Sequence, residues 1–156
     1  MPATRRTAPR IRRATLRDHD ALRALEDSAF QPWRRASRKS LRRSLASPRQ
    51  SVWIIDHPTR RGQAAALLIL WHHAKRLRVY DVATHADVRG QGLGFQLMQH
   101  TEGLARKAGC EDVRLEADAK DKPLIAWYQA QGYTIVERMP HFYVGGRPAV
   151  RMRKAV

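Results

Sequence analysis

Apolar positions along this chain keep two rhythms that take turns. After Asp18, the residues Ala21, Leu22, Leu25 and Ala29 fall three and four apart, which predicts an amphipathic helix with Asp18 as its N-cap. Phe30-Gln31-Pro32-Trp33 breaks it. A second helix is predicted from Ser37, with Leu41 and Leu45 turned inward, and it stops at Ser47-Pro48 because proline disfavours helical geometry in the residue before it. Ahead of both, Pro9 to Ala14 reads as a short first strand. The rhythm then changes. Ser51 to Ile55, Gln63 to His72 and Lys75 to Thr84 are dense in aliphatic, β-branched and aromatic residues, and the turn residues of His57 to Gly62 separate the first two. Three strands of an antiparallel meander are expected. Helical spacing returns at Leu93, Leu97, Thr101, Leu104 and Ala108. A strand follows over Asp112 to Ala117, then a helix from about Pro123 to Gln131, with proline where a first turn tolerates it and Gly132 at its end. Tyr133 to Glu137 and Ala149 to Met152 read as strands joined by a hairpin around Gly145-Gly146. No repeat, low-complexity tract or linker interrupts the series, so residues 1–156 are read as one domain.

The stretch Arg89-Gly90-Gln91-Gly92-Leu93-Gly94 lies between a strand and the longest helix. A glycine-rich turn in that position leaves the first N–H groups of the helix unpaired, at the positive end of its dipole. Such a turn cradles anions, phosphate above all. A P-loop would continue into Gly-Lys-Ser/Thr, and this chain does not. A dinucleotide fingerprint wants its third glycine three residues after the second, whereas Gly94 follows Gly92 by two.

Charge adds a second theme. Thirty Lys and Arg against fourteen Asp and Glu give a formal net charge of +16, mostly arginine. Such a field draws anions: phosphate-bearing ligands, acidic proteins or nucleic acid, the last on charge alone. The densest run is Arg34, Arg35, Arg38, Lys39, Arg42 and Arg43. The opening is also arginine-rich and acid-poor (Arg5, Arg6, Arg10, Arg12, Arg13, Arg17). It resembles an organelle presequence in composition, yet its removal would take the expected first strand with it. No apolar run approaches the length of a membrane span and no secretory signal is legible. One cysteine, Cys110, excludes an internal disulfide framework, and a cytoplasmic location is the expectation. Nothing marks Cys110 as an activated nucleophile, so a buried thiol is expected. His72-His73 is no metal pair, because neighbours on a strand point to opposite faces. No metal is expected.

The order β-α-α-β-β-β-α-β-α-β-β, with Arg-x-x-Gly-x-Gly at Arg89 to Gly94 after a strand ending Val82-Ala83-Thr84, resembles the GNAT acyl-CoA N-acyltransferases. A second stretch, Leu115-Glu116-Ala117-Asp118 through Ala126-Trp127-Tyr128 to Gly132-Tyr133, resembles that family's other signature. Within the superfamily the chain is most similar to the ribosomal-protein alanine N-acetyltransferases, through Phe30…Trp33, Glu116 and Tyr143…Gly146…Ala149…Met152. The resemblance implies an α+β fold whose mixed, mostly antiparallel central sheet of about six to seven strands is flanked by about four helices.

It also implies chemistry. Acetyl-CoA is the expected cosubstrate, held by Val82, Ala83, Thr84, Arg89, Gly90, Gln91, Gly92, Leu93, Gly94 and Asp121. Glu116 stands where the subgroup has its general base, and Tyr128 where it has its general acid. Physical requirements agree: a protonated amine must lose a proton before it attacks, and a departing thiolate must gain one. Trp33, Phe142 and Tyr143 are expected to rim the acceptor groove. The acceptor is expected to be a polypeptide amine, most simply an N-terminal α-amine. Asp121 departs from the family pattern, which carries Asn there, and Asp81 replaces a more usual Asn or Ser. Two other functions stay open on the sequence: a small-molecule amine N-acetyltransferase, and a non-catalytic basic module that binds nucleic acid or an acidic partner.

Overall fold

The computed structural model describes residues 8–156; Arg5 and Arg6 of the arginine-rich opening lie outside the described residues. Seven strands form one sheet in the spatial order β1-β2-β3-β4-β5-β7-β6. They are β1 (Arg12–Arg13), β2 (Gln50–Asp56), β3 (Ala64–His73), β4 (Arg76–Thr84), β5 (Asp112–Asp118), β6 (Thr134–Tyr143) and β7 (Arg147–Ala155). The helices are α1 (His19–Ala29), α2 (Arg38–Ala46), α3 (Leu93–Lys107) and α4 (Lys122–Ala130). All strand pairs are antiparallel except β4–β5, where α3 makes the crossover that parallel neighbours require. The mixed α+β architecture expected from the sequence is the one observed.

The core lies on both faces of the sheet. Leu22, Leu25 and Leu41 from α1 and α2 pack with Val52, Ile54, Leu67 and Ile69 on one face. Leu93, Leu97, Met98 and Ala105 from α3 pack with Leu68, Leu70, Val79 and Leu115 on the other. Residues Ala64 to Leu70 of β3 are therefore buried on both sides, which explains their unbroken apolar run.

Several sequence-based boundaries shift for local reasons. The first strand shrinks to Arg12–Arg13, opposite Ile54 and Trp53. Asp18 precedes α1 as expected, but its carboxylate caps the preceding 3-10 turn instead, accepting from Thr15 N at 2.8 Å and pairing with Arg12 at 2.8 Å. Ala108 is exposed at the C-cap of α3 and so leaves the predicted stripe, which Met98 and Ala105 complete. α4 starts one residue earlier than expected, and β6 runs on to Tyr143.

Two irregularities in β4 shape everything that follows. Its pairing with β5 runs only from Arg76↔Asp112 to Val79↔Leu115, after which the strands part. Its pairing with β3 shifts between Leu70↔Val79 and Ile69↔Asp81, leaving Tyr80 as the extra residue of a β-bulge. The bulge interrupts strict alternation, so Tyr80 and Asp81 both turn toward α1 and α2.

Candidate active site

The parted strands open a cavity of about 740 Å³ that reaches both faces of the sheet. On one side it is closed by the turn into α3 and by α4, on the other by the α1–α2 connection. A smaller cavity of about 260 Å³ continues it toward β4, and Trp33, Arg34, Glu116 and Tyr143 line both.

Backbone register aims a donor into the gap. His85 N donates to Ala65 O at 2.7 Å, and along an antiparallel pair the donors face the partner strand at every second residue. Ala83 therefore faces β3, and the N–H of Val82 points the other way, where β5 has already departed. The Ala83 side chain packs among the α1–α2 core rather than lining the cavity. Only the backbone of Ala83 is left to face a ligand.

The glycine turn has the geometry of an anion cradle. Gly90 and Gly92 take φ of +78° and +81°, and Gly92 caps α3. Arg89, Gly90, Gly92, Leu93 and Gly94 line the cavity together with Val82 and Thr84. Gln91 is exposed and does not line the cavity, so its side chain points away from it while its N–H stays in the turn. Gly94 has a different reason to be glycine: a Cβ there would stand 3.3 Å from the Trp127 ring, which seats α4 against α3.

Asp121 is the N-cap of α4, its Oδ1 accepting from Leu124 N at 3.1 Å. A cap needs only an acceptor, and a carboxylate suits the positive end of a helix, so Asp serves here as well as Asn. Tyr128 is buried on α4 between Trp127 and Tyr133, at ring distances of 4.9 and 5.8 Å. Burial pushes its hydroxyl well above the ordinary tyrosine range, so it is a proton holder at neutral pH.

Glu116 is held by two arginines. Arg78 Nε donates to both of its oxygens, at 3.0 and 3.1 Å, and Arg151 Nη2 and Nε donate to Oε1 at 3.2 and 3.3 Å. Nothing in the sequence marked Arg78 and Arg151 as its partners. The ladder does: Arg151 is directly opposite Glu116 across β5–β7.

The three aromatic rim residues come together. Trp33 meets Tyr143 edge-on at 5.4 Å and Phe142 meets Tyr143 at 5.0 Å. Arg147 stacks over Trp33 at 4.2 Å while its Nη2 donates to Asp118 at 3.0 Å. The α1–α2 connection and the β6–β7 hairpin are thereby clasped over the cavity. Arg34 lies over the rings of Phe30 and Tyr143 and has no ion-pair partner among the described residues.

A buried carboxyl pair lies beneath. Glu26 of α1 is fully buried and Asp81 is 3% exposed. Glu26 Oε2 accepts from Ala36 N at 3.0 Å, whereas Glu26 Oε1 and Asp81 Oδ1 meet no donor. Burial, and then the hydrogen bond to Asp81, pushes Glu26 up to about 10; burial also raises Asp81. Glu26 thus keeps its proton at neutral pH and donates it to Asp81. Because the folded protein binds this proton more tightly than the unfolded chain does, Glu26 makes stability fall as pH rises from the ordinary glutamate range toward 10. Glu26→Gln is expected to flatten that decline in thermal melts taken across pH. Each kcal/mol is worth about 2–4 °C in Tm at this size. A decline as steep as in the wild type would contradict the assignment. Glu26 was legible in principle, since an acid four residues after Leu22 falls on the apolar stripe of α1.

Among the described residues His57, His85 and Asp87 bring ligand atoms within 4.8 Å of one another. Their chemistry does not suit a cation. His57 Nδ1 accepts from Thr59 N and Arg60 N, and His85 Nδ1 accepts from Asp87 N, so each ring carries its hydrogen on Nε2. Asp87 is already paired with Arg60 at 2.7 Å.

A helix N-terminus that cradles anions, strands that part beside it, and a buried tyrosine across the gap define an α+β protein built to hold a phosphate-bearing ligand against a second substrate. Residues 19–133 match the family model for the acetyltransferase (GNAT) family, and the chain belongs to that family. A stretch of 65 residues is 32% identical to the N-alpha-acetyltransferase MAK3 of Arabidopsis thaliana. It covers 42% of this chain and 34% of that relative, so the chain spans about a third of the relative's length. The ribosomal-protein-S18-alanine N-acetyltransferase of Escherichia coli superposes with a TM-score of 0.83 at 23% identity, over 96% of this chain and 94% of that one. NAA60 of Arabidopsis thaliana, solved in complex with acetyl-CoA, gives 0.83 at 12% identity over 96% and 99%. At these identities the structural likeness concerns the fold.

Proposed function

We propose that the protein is an acetyl-CoA-dependent N-acetyltransferase acting on a polypeptide, at its N-terminal α-amine, by direct attack in a ternary complex. The observation that carries this reading is the larger cavity through the parted strands, with an anion cradle on one side and an aromatic, charged chamber on the other. The coenzyme pyrophosphate rests on the N–H groups from Arg89 to Gly94, and Asp121 flanks the pantetheine arm. The Val82 N–H receives the carbonyl oxygen as charge develops on it. The amine attacks the thioester carbon, the C–N bond forms, the C–S bond breaks, and the thiolate takes a proton through the Tyr128 hydroxyl. Both substrates react where they are held, without a covalent enzyme intermediate. The N-alpha-acetyltransferase activity of the Arabidopsis thaliana relative agrees with an α-amine acceptor.

Glu116 remains in the acceptor chamber as an oriented negative charge that draws an ammonium inward. A cytoplasmic setting fits the one cysteine, Cys110, which is buried and whose thiol burial pushes up, away from reactivity. Among the described residues no helix is long and apolar enough to cross a membrane.

One observation favours a second reading. The Arg147–Trp33–Tyr143 clasp narrows the acceptor side, which would suit a small amine. Incubation with acetyl-CoA and a panel of short peptides, amino acids and polyamines, followed by mass spectrometry, separates the two. Acetylated peptides with free small N-termini are expected to dominate. Peptides with acidic residues after the first position are expected to gain in kcat/KM through Arg34, and the gain is expected to shrink as salt rises. Turnover confined to small amines would overturn the peptide assignment.

A further inference from the structure

We propose that the Glu26–Asp81 pair, and not Glu116, takes up the proton that the acceptor ammonium must lose, with Asp81 as the catalytic residue and Glu26 as its positioning partner. This rests on the acetyltransferase reading above. Asp81 lines the inner chamber with Tyr80, Arg34, Arg78, Glu116 and Tyr143. It is there because the bulge at Tyr80 turns it away from the α3 side and toward α1. Glu116 is the other acid in the chamber, and it is ion-paired with both Arg78 and Arg151. Asp81 has no guanidinium partner among the described residues.

The pair has the chemistry of a proton reservoir. Two buried oxygens, Glu26 Oε1 and Asp81 Oδ1, meet no outside donor, and a proton held between the two neighbouring carboxyl groups would satisfy them. Glu26 is fixed from behind by Ala36 N, at the start of the segment that leads into α2. Protonated Glu26 donates to Asp81 and holds its carboxylate in place, and burial makes that carboxylate a better proton acceptor than a solvated one. The charged and titratable groups that act on the pair are Arg34 from the α1–α2 connection and Tyr128 from α4, with Arg78 and Glu116 across the chamber. The step balances: the ammonium gives one proton to Asp81, the free amine attacks, and its second proton leaves with the thiolate by way of Tyr128. Asp81 afterwards releases its proton to solvent.

Steady-state rates for the best peptide of the panel, measured across pH with the wild type, Asp81→Asn, Glu26→Gln and Glu116→Gln, test this. Asp81→Asn is expected to lower kcat/KM by about 10²-fold and to abolish the acidic limb of the pH–rate profile, with acetyl-CoA affinity unchanged. Glu26→Gln is expected to move that limb, a change that a merely structural role would not produce. Glu116→Gln is expected to keep the limb. The pair also has a readout that needs no turnover: infrared spectra at neutral pH are expected to show a protonated carboxyl band that Glu26→Gln removes. Wild-type rates and an intact limb in a folded Asp81→Asn variant would overturn the proposal while leaving the acetyltransferase reading standing. So would absence of the carboxyl band. A wild type that acetylates no amine would overturn both.

Discussion

Tyr128→Phe is expected to slow acetyl transfer by about 10²-fold or more, the usual contribution of a positioned general acid, with no change in affinity for acetyl-CoA. The ring stays, so its packing against Trp127 and Tyr133 is retained and only the hydroxyl is lost. Buried as it is, that hydroxyl holds its proton until a thiolate appears in front of it. The effect should therefore fall on kcat, and coenzyme binding measured by calorimetry should match the wild type. Wild-type turnover in the Phe variant would mean that the thiolate leaves without help from Tyr128.

Gly92→Val is expected to weaken acetyl-CoA binding by about 10²-fold or more, read by calorimetry. The position has φ of +81°, where a side chain costs about 1–2 kcal/mol, close to tenfold, and a β-branched one more. A Cβ there meets no protein atom within 4 Å, so the folded core gives no other reason for the loss. The isopropyl group would project at the helix N-terminus, where the pyrophosphate should approach the backbone. Strain lowers stability and obstruction lowers affinity, so the variant's melting temperature should drop modestly while affinity falls far more. Unchanged affinity would move the pyrophosphate away from this loop.

The sequence carried the fold because its elements are strongly patterned. β3 is an unbroken apolar run, α1 and α3 show clear stripes, and the glycine turn lies where a strand meets a helix. The glycine turn and Tyr128 were legible for the same reason: Gly90, Gly92 and Tyr128 belong to short contiguous motifs. The acceptor side was not. Glu116, Arg78 and Arg151 come from three strands, and their clamp exists only once the register of β4, β5 and β7 is set. Asp81 stood out as an unusual residue in its strand, but a one-residue bulge decides which face it takes, and no local pattern announced that bulge. The charge excess was plain from composition. Its meaning depends on which arginines are already paired: Arg12, Arg76 and Arg153 are engaged by acids, whereas Arg34 has no such partner among the described residues.

The choice among amines rests on chemistry that a single measurement reads directly. An α-amine titrates near 7.7–8.0 and a lysine side chain near 10.4, so at neutral pH the α-amine offers roughly two powers of ten more free base. A short peptide bearing a free small N-terminal residue, an acidic second residue and an internal lysine presents both nucleophiles at once. After incubation with the protein and acetyl-CoA, tandem mass spectrometry locates the acetyl group. Acetyl on the N-terminal nitrogen, with the lysine unmodified, is the predicted result. Acetyl on the lysine alone, or no modified peptide while a polyamine or amino acid is acetylated, would contradict it.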